Sequence, residues 1–409
     1  MRWVGWLLLA ACFHMAYVLR LSAGILADVL GKEFVLTASA FGAMSSMVFY
    51  AYTFMQIPVG ILADTRGPRF TVSWGMAVAG TGALVFASSG SPAMLFLGRA
   101  FMGIGVAGAF VCTMKFLSDN FEGDRFATLS GITSFIGNAG GMTAQAPLAL
   151  LVALLSWRQA FVLLGGFSIV LAVLCMAVLP KAEKRPFSFS SLLQGVKSVL
   201  SLSGMYPVSL NYLASQACFL AMSGTWGISY LKAVHGIDGA ALMTLMAAGV
   251  MAGAVAAGRL SDMWRSRKKP LCLFALAHTS LWGALVFFPP PLAPTSLALL
   301  LSGLGFSAGA LVIPWSMARE MNPAEHTGLS IAMMNTVAFL SVALLTSAMG
   351  KVLDGGLSPA GLQVWRNVLF LPLAAAAAGL AGALFSPETF GRVPDISGTK
   401  KDVRNIRRK

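Results

Sequence analysis

Two arginines, Arg20 and Arg99, stand inside runs that are otherwise apolar. A guanidinium near the centre of a membrane helix costs on the order of 2.5 to 3.5 kcal/mol or more unless it is paired or wet. Asp28 ends the first run, while Asp64, Asp119, Asp124, Asp262, Glu320 and Glu325 fall at run ends or in loops. Two cations at that depth invite an anion, and their planar forked donors suit a carboxylate, phosphate or sulfonate. The bland alternatives are that Arg99 only satisfies carbonyls of a neighbouring helix and that Arg20 snorkels to the interface. Tyr17 lies three residues before Arg20 and so on the adjoining helix face. Tyr52, Asn138, Gln216 and Asn335 place neutral polar groups near the middle of four further runs. They would bond either a polar ligand or neighbouring helices. His14 reads as a proton carrier or a packed histidine.

The remaining chemistry is mostly negative. The five cysteines (Cys12, Cys112, Cys175, Cys218, Cys272) lie in apolar stretches without a CxxC pair, and the four histidines are scattered. Metal sites, cofactors and Cys/His catalysis therefore have no support. No cluster of acid, base and nucleophile marks an enzyme. The net charge of +14 does not imply nucleic-acid binding, because in this composition sidedness outweighs the total.

These residues must be positioned by membrane helices. Of 409 residues 57% are hydrophobic and only 11% charged, which excludes large soluble domains. Apolar runs predict spans at about 3 to 30, 37 to 62, 70 to 89, 92 to 115, 125 to 155 and 157 to 179. Six more follow at about 205 to 231, 236 to 261, 270 to 288, 294 to 317, 325 to 350 and 361 to 386. The expected class is an all-α membrane protein with twelve transmembrane helices in two six-helix bundles, 1–180 and 205–387. A linker with an interfacial amphipathic helix (181–204) and a basic tail (388–409) complete it. With the N-terminus inside, 22 Lys and Arg fall on the cytoplasmic side and five outside, so both termini are expected in the cytoplasm.

The halves repeat each other. Gly60-x-Leu62-x-Asp64 recurs 198 residues later as Gly258-x-Leu260-x-Asp262, and Gly103-Ile-Gly105 recurs 200 residues later as Gly303-Leu-Gly305. Duplicated bundles of this kind build secondary transporters. The stretch Gly60-Ile-Leu-Ala-Asp64-Thr-Arg66-Gly67-Pro-Arg69 resembles the loop between spans 2 and 3 of the major facilitator superfamily, and Arg99-x-x-x-Gly103-x-Gly105 resembles its span 4 signature. The second-half copy departs from the pattern, with Arg265 where glycine is usual. The resemblance implies two six-helix bundles around a central cavity that opens alternately to each side. It assigns Asp64, with Arg66, Arg69 and the repeat residue Asp262, to gating: a carboxylate latched onto a helix N-terminus of the other bundle.

A narrower likeness is to the organic anion symporters of that superfamily, through Tyr17-x-x-Arg20, Ala51-Tyr52-x-x-x-Gln56-Ile57-Pro58, Arg99, and Asn138 before Ala146-Pro147-Leu148. It implies a small anionic substrate. Symporters coupled to protons keep acids where this chain has Leu19 and Val106, leaving His14 and Asp28 as coupling candidates. The expected function is alternating-access transport of a small organic anion in a bacterial inner membrane, by a monomer. Efflux of lipophilic drugs and a receptor that transports nothing are the alternatives; Gly137-Asn138-Ala-Gly-Gly lacks the Gly-Pro pair of drug antiporters.

Overall fold

The computed structural model describes residues 2–121, 123–181, 189–355 and 361–391. Linker residues 182–188, with Lys184 and Arg185, and the expected basic tail from 392 onward lie outside these. Among the described residues all twelve expected segments are helical and none is a strand. Among the described residues ten helical segments are long and apolar enough to cross a bilayer. Phe54, Leu154, Leu299 and Phe385 stand at 72–80% exposure, a surface that suits lipid rather than water.

The first half comprises span 1 (Arg2–Leu21), span 2 (Ala38–Thr65), span 3 (Gly67–Ala87), span 4 (Pro92–Val106 and Ala109–Asn120), span 5 (Gly123–Thr143 and Ala146–Leu154) and span 6 (Trp157–Val178). Span 7 is Met205–Ala221, a π turn at Met222–Trp226, and Gly227–His235. Span 8 (Ala240–Met263) and span 9 (Lys268–Phe287) are continuous; span 10 runs Pro294–Ala308, a tight turn Gly309–Leu311, then Val312–Met321. Span 11 (Ala324–Asp354) and span 12 (Leu362–Phe385) close the series. The two expected spans outside the set of ten, 5 and 7, break near the middle, as spans 4 and 10 also do within the set. Span 1 is shorter than its hydropathy suggests. The Ser22 hydroxyl turns back onto the Leu19 carbonyl (3.0 Å), and a tight turn at Gly24–Leu26 leads into a short helix, Ala27–Glu33. Mean hydropathy cannot register a bend whose residues stay apolar.

The repeat is visible in the backbone. The break after span 1 and the π turn of span 7 stand about 200 residues apart, and so do the breaks in spans 4 and 10. Gly67 has a φ of 80°, and Arg265, 198 residues later, adopts a φ of 47°. The departure from the family pattern is thus a side chain in a left-handed position that favours glycine. Arg265→Gly is expected to stabilise the protein by about 1 kcal/mol, the relief of strain less the entropic cost of glycine. A rise in detergent melting temperature checks it.

The chain packs as two compact units: unit 1 is Met1–Phe187 with Leu220–Ala247 and Val342–Val368, and unit 2 is Ser188–Phe219, Ala248–Ser341 and Leu369–Lys409. Unit 1 therefore takes in parts of spans 7, 8, 11 and 12 from the second half of the sequence. Its helices meet through the predicted glycines: a Cβ on Gly103 would stand 2.3 Å from the Val48 carbonyl oxygen, and one on Gly105 2.3 Å from the Ala79 nitrogen. In unit 2 the close approach has moved to span 8, where a Cβ on Gly253 would meet the Phe306 carbonyl oxygen at 1.9 Å. Its sequence counterpart to Gly103, Gly303, faces only the Leu281 side chain. The amphipathic helix Phe189–Ser201 buries Gly195 and Val199, with Gly195 against Leu329 and His326, and exposes Leu193 and Leu200.

The end of unit 1 where span 1 finishes and span 2 begins is closed by bonds to second-half helices. Both carboxylate oxygens of Asp354, the last residue of span 11, accept backbone N–H groups at the start of span 2: Ala38 (2.8 Å) and Ser39 (2.9 Å). Ser46 donates to the Ala343 carbonyl (3.0 Å) and Ser347 donates to Ser46 (3.0 Å). At the interruption of span 5, the Gln145 amide donates to the Ser223 carbonyl (3.0 Å) and the Ala146 N–H to the Thr244 hydroxyl (3.1 Å).

Candidate functional site

Span 1 carries Arg20 one residue before its last, and the side chain is only 4% exposed. Its Nε donates to the Ala16 carbonyl one turn back (3.2 Å). The guanidinium carbon lies 4.3 Å from the ring centre of Tyr17 and 5.2 Å from that of Tyr52 on span 2. Each aromatic contact contributes about 0.5 to 2 kcal/mol depending on desolvation. Two rings beneath one guanidinium hold the cation at this place, and a guanidinium is a forked donor suited to an oxyanion. The structure thus brings Tyr17, Arg20 and Tyr52 together.

Arg99 is placed differently. It is 1% exposed, and its Nη1 donates to the Leu19 carbonyl (2.8 Å) and the Ser22 hydroxyl (3.3 Å). Its Nη2 donates to the carbonyls of Arg20 (3.2 Å) and Ser45 (3.3 Å). The last carbonyls of a helix have no partner within it, and a cation there also meets the negative end of the helix dipole. Arg99 caps span 1 where the chain bends and ties it to span 2.

Asn138 uses its amide on its own helix, donating to the Ser134 carbonyl (2.8 Å). The glycines around it bring span 5 against span 1: a Cβ on Gly140 would stand 2.3 Å from the His14 carbonyl oxygen. His14 Nδ1 lies 3.0 Å from the Ile136 carbonyl oxygen. A carbonyl can only accept, so Nδ1 carries the hydrogen and Nε2 is the position left to take a proton. Asp28 is half exposed and ion-paired with Lys232 at the closed end of unit 1.

In unit 2, Gln216 is 8% exposed and Asn335 half-buried. They meet through Tyr212, whose hydroxyl donates to Asn335 Oδ1 (2.5 Å) and lies 3.5 Å from Gln216 Nε2. Tyr212 was not among the predicted residues. The only signal for it was its spacing, four residues before Gln216 on the same face of span 7.

Of the predicted gating residues, Asp64 is 73% exposed and ion-paired with Lys115 on span 4. Arg66 lies over the Phe70 ring (5.3 Å), and Arg69 is half-buried. Asp262 accepts from Arg267 Nη1 (2.9 Å). Arg267, 198 residues after Arg69, also pairs with Glu320 (2.9 Å) and stacks over Phe390 (4.8 Å). Glu388 accepts the Arg267 N–H (2.8 Å) and the Ser266 hydroxyl at the start of span 9. Burial pushes its carboxyl up, but the Ser266 hydroxyl and the surrounding backbone N–H groups outweigh that and hold it below the usual carboxylate range. Arg267, Glu320 and Glu388 were missed, although the offset of 198 points at the first of them. Among the described residues no group of three or more His, Cys, Asp or Glu is arranged to hold a metal ion.

The profile of the Major Facilitator Superfamily matches residues 7–346. The "Probable sulfoacetate transporter" of Cupriavidus necator is 27% identical over 353 residues, 79% of this chain and 81% of that protein. The "D-galactonate transporter" of Escherichia coli is 24% identical over 85% of this chain and 88% of that one. Among solved structures, a bacterial homolog of the human lysosomal transporter Spinster superposes with a TM-score of 0.72 at 16% identity, covering 95% of this chain and 97% of that one. The helical architecture, the repeated backbone and the matched profile agree: the chain is an integral membrane transporter, not an enzyme, and belongs to the major facilitator superfamily.

Proposed function

We propose that the protein carries a small organic anion, a carboxylate or sulfonate, across a bacterial inner membrane by alternating access, with both termini in the cytoplasm. The observation that carries this reading is Arg20, buried in a membrane helix with its guanidinium over the rings of Tyr17 and Tyr52. The names of the relatives, transporters of sulfoacetate and galactonate, support the same substrate class. On this reading Arg20 binds the anion, Tyr17 and Tyr52 hold Arg20 in place, and Asn138, Gln216 and Asn335 are neutral polar groups for the substrate. Arg99 acts through Arg20, by fixing the end of the helix that carries it.

Gating on this reading uses carboxylates that cap helix N-termini at opposite ends. Asp354 has that geometry on Ala38 and Ser39, while Asp64, proposed for the same task at the cytoplasmic end with Arg66, Arg69 and Asp262, is held by Lys115. Proton movement, where it occurs, runs through His14 Nε2 or the substrate's own acidic group. Asp28, tied to Lys232 at the surface, has little part in it.

Counterflow into proteoliposomes tests the reading, using sulfoacetate, D-galactonate, D-glucarate, inorganic phosphate and a lipophilic cation, each with and without a pH gradient. Saturable exchange of one of the organic anions is expected. Exchange of the cation alone would replace this reading with drug efflux.

A further inference from the structure

Tyr212 presents a phenol hydroxyl in an apolar setting. The residue is 1% exposed and belongs to the core of unit 2, with Ala310, Ile313, Met334 and Ala338 in the same cluster. A phenol oxygen can accept, but it has a single hydrogen to give. Here that hydrogen goes to Asn335 Oδ1 across a short 2.5 Å bond from span 7 to span 11, while the Gln216 amide nitrogen lies 3.5 Å from the phenol oxygen. The set runs from Gln216 N–H toward Tyr212 oxygen, and from Tyr212 O–H to Asn335 oxygen.

The consequence lies in the other half of the Asn335 amide. A primary amide is nearly symmetric in shape, but one end donates two hydrogens and the other only accepts. A carboxylate or sulfonate can only accept, so an amide serves it with its NH2 end and repels it with its oxygen. With the oxygen drawn to Tyr212, the NH2 end is turned away from Tyr212. We infer that Tyr212 is a positioning residue for anion selection: its hydroxyl fixes the Asn335 amide so that N–H groups, not the carbonyl, are offered to the substrate. This rests on the proposed contact between Asn335 and the substrate. Phenylalanine would fill the same apolar space and leave the amide free to turn over.

The test is the concentration dependence of uptake into proteoliposomes, with sulfoacetate, D-galactonate and D-glucarate as probes, for wild type, Tyr212→Phe, Asn335→Ala and the double variant. Each single variant is expected to raise KM about tenfold with the maximal rate within about twofold, the effect of losing one charge-assisted hydrogen bond. The double variant is expected to be no worse than Asn335→Ala, because Tyr212 acts only through that amide. Multiplying effects, or an unchanged KM in Tyr212→Phe while Asn335→Ala is impaired, would overturn the positioning role and leave the substrate contact standing. An unchanged KM in Asn335→Ala would remove the contact itself, and wild-type vesicles that carry none of the three anions would remove the substrate class. Asn335→Asp covers a Tyr212→Phe protein that does not fold. The tyrosine then still finds an acceptor but the anion meets a carboxylate, so uptake is expected to vanish, and retained uptake overturns the inference.

Discussion

Arg20→Ala is expected to reduce anion uptake about a hundredfold or more while the protein still folds and inserts. Losing one partner of a desolvated, hydrogen-bonded ion contact costs about 2 to 5 kcal/mol of affinity, and each 1.4 kcal/mol is a factor of ten. The fold is expected to survive because Arg99, not Arg20, secures the end of span 1 through the carbonyls of Leu19, Arg20 and Ser45, all of them backbone atoms that alanine retains. Arg20→Lys should be nearly as poor: an ammonium is a point charge without a planar fork. It would also lose the planar cation that now sits over the rings of Tyr17 and Tyr52. Uptake by Arg20→Ala close to wild type, with normal yield and melting temperature, would show that the anion is bound elsewhere.

Asp354→Ala is expected to shift the protein away from the state in which the start of span 2 is closed against span 11. The carboxylate receives two N–H groups at a helix N-terminus, and such charge-assisted bonds contribute about 1 to 3 kcal/mol in total. The closed population should fall by roughly 5- to 150-fold relative to the open one. Spin labels at Ser39 and Lys351 would report it as a longer, broader distance distribution. Asp354→Asn, which keeps one acceptor, should fall between. Distributions that coincide with wild type would show that the serine bonds at Ser46 and Ser347 close this end without help from Asp354.

How much of this was legible beforehand depends on what kind of signal each residue gives. Arg20 and Tyr17 stood out because a charge in an apolar run is rare and a spacing of three puts the tyrosine beside it. Tyr52 was marked both by its place near the middle of a run and by the likeness to a family, and its guanidinium partner is the same Arg20. Tyr212 gave almost no signal: an aromatic residue in an apolar helix looks like packing, and only the fold brings its hydroxyl to Asn335. Asp354 was passed over because an acid at the end of a span reads as a solvated loop charge; its partners are 315 and 316 residues away in the chain. The capping chemistry was anticipated, at Asp64, but in the described state it is seen at Asp354. The spans were predicted from hydropathy, yet the interruptions of spans 1, 5 and 7 were not, since residues such as Gly24, Gly224 and Thr225 change backbone direction without changing polarity.

One of those interruptions bears on how far two copies of one sequence can grow apart. Gly24 and Gly224 occupy the same place in the two repeats, 200 residues apart, yet their surroundings differ. A Cβ on Gly24 would stand 3.3 Å from the Gly224 carbonyl carbon and 3.2 Å from the Thr225 oxygen, both backbone atoms, whereas one on Gly224 would press chiefly on the Leu21 side chain, at 2.8 Å. A side chain can turn aside and a backbone cannot, so the second copy has room to gain bulk at this place that the first has not.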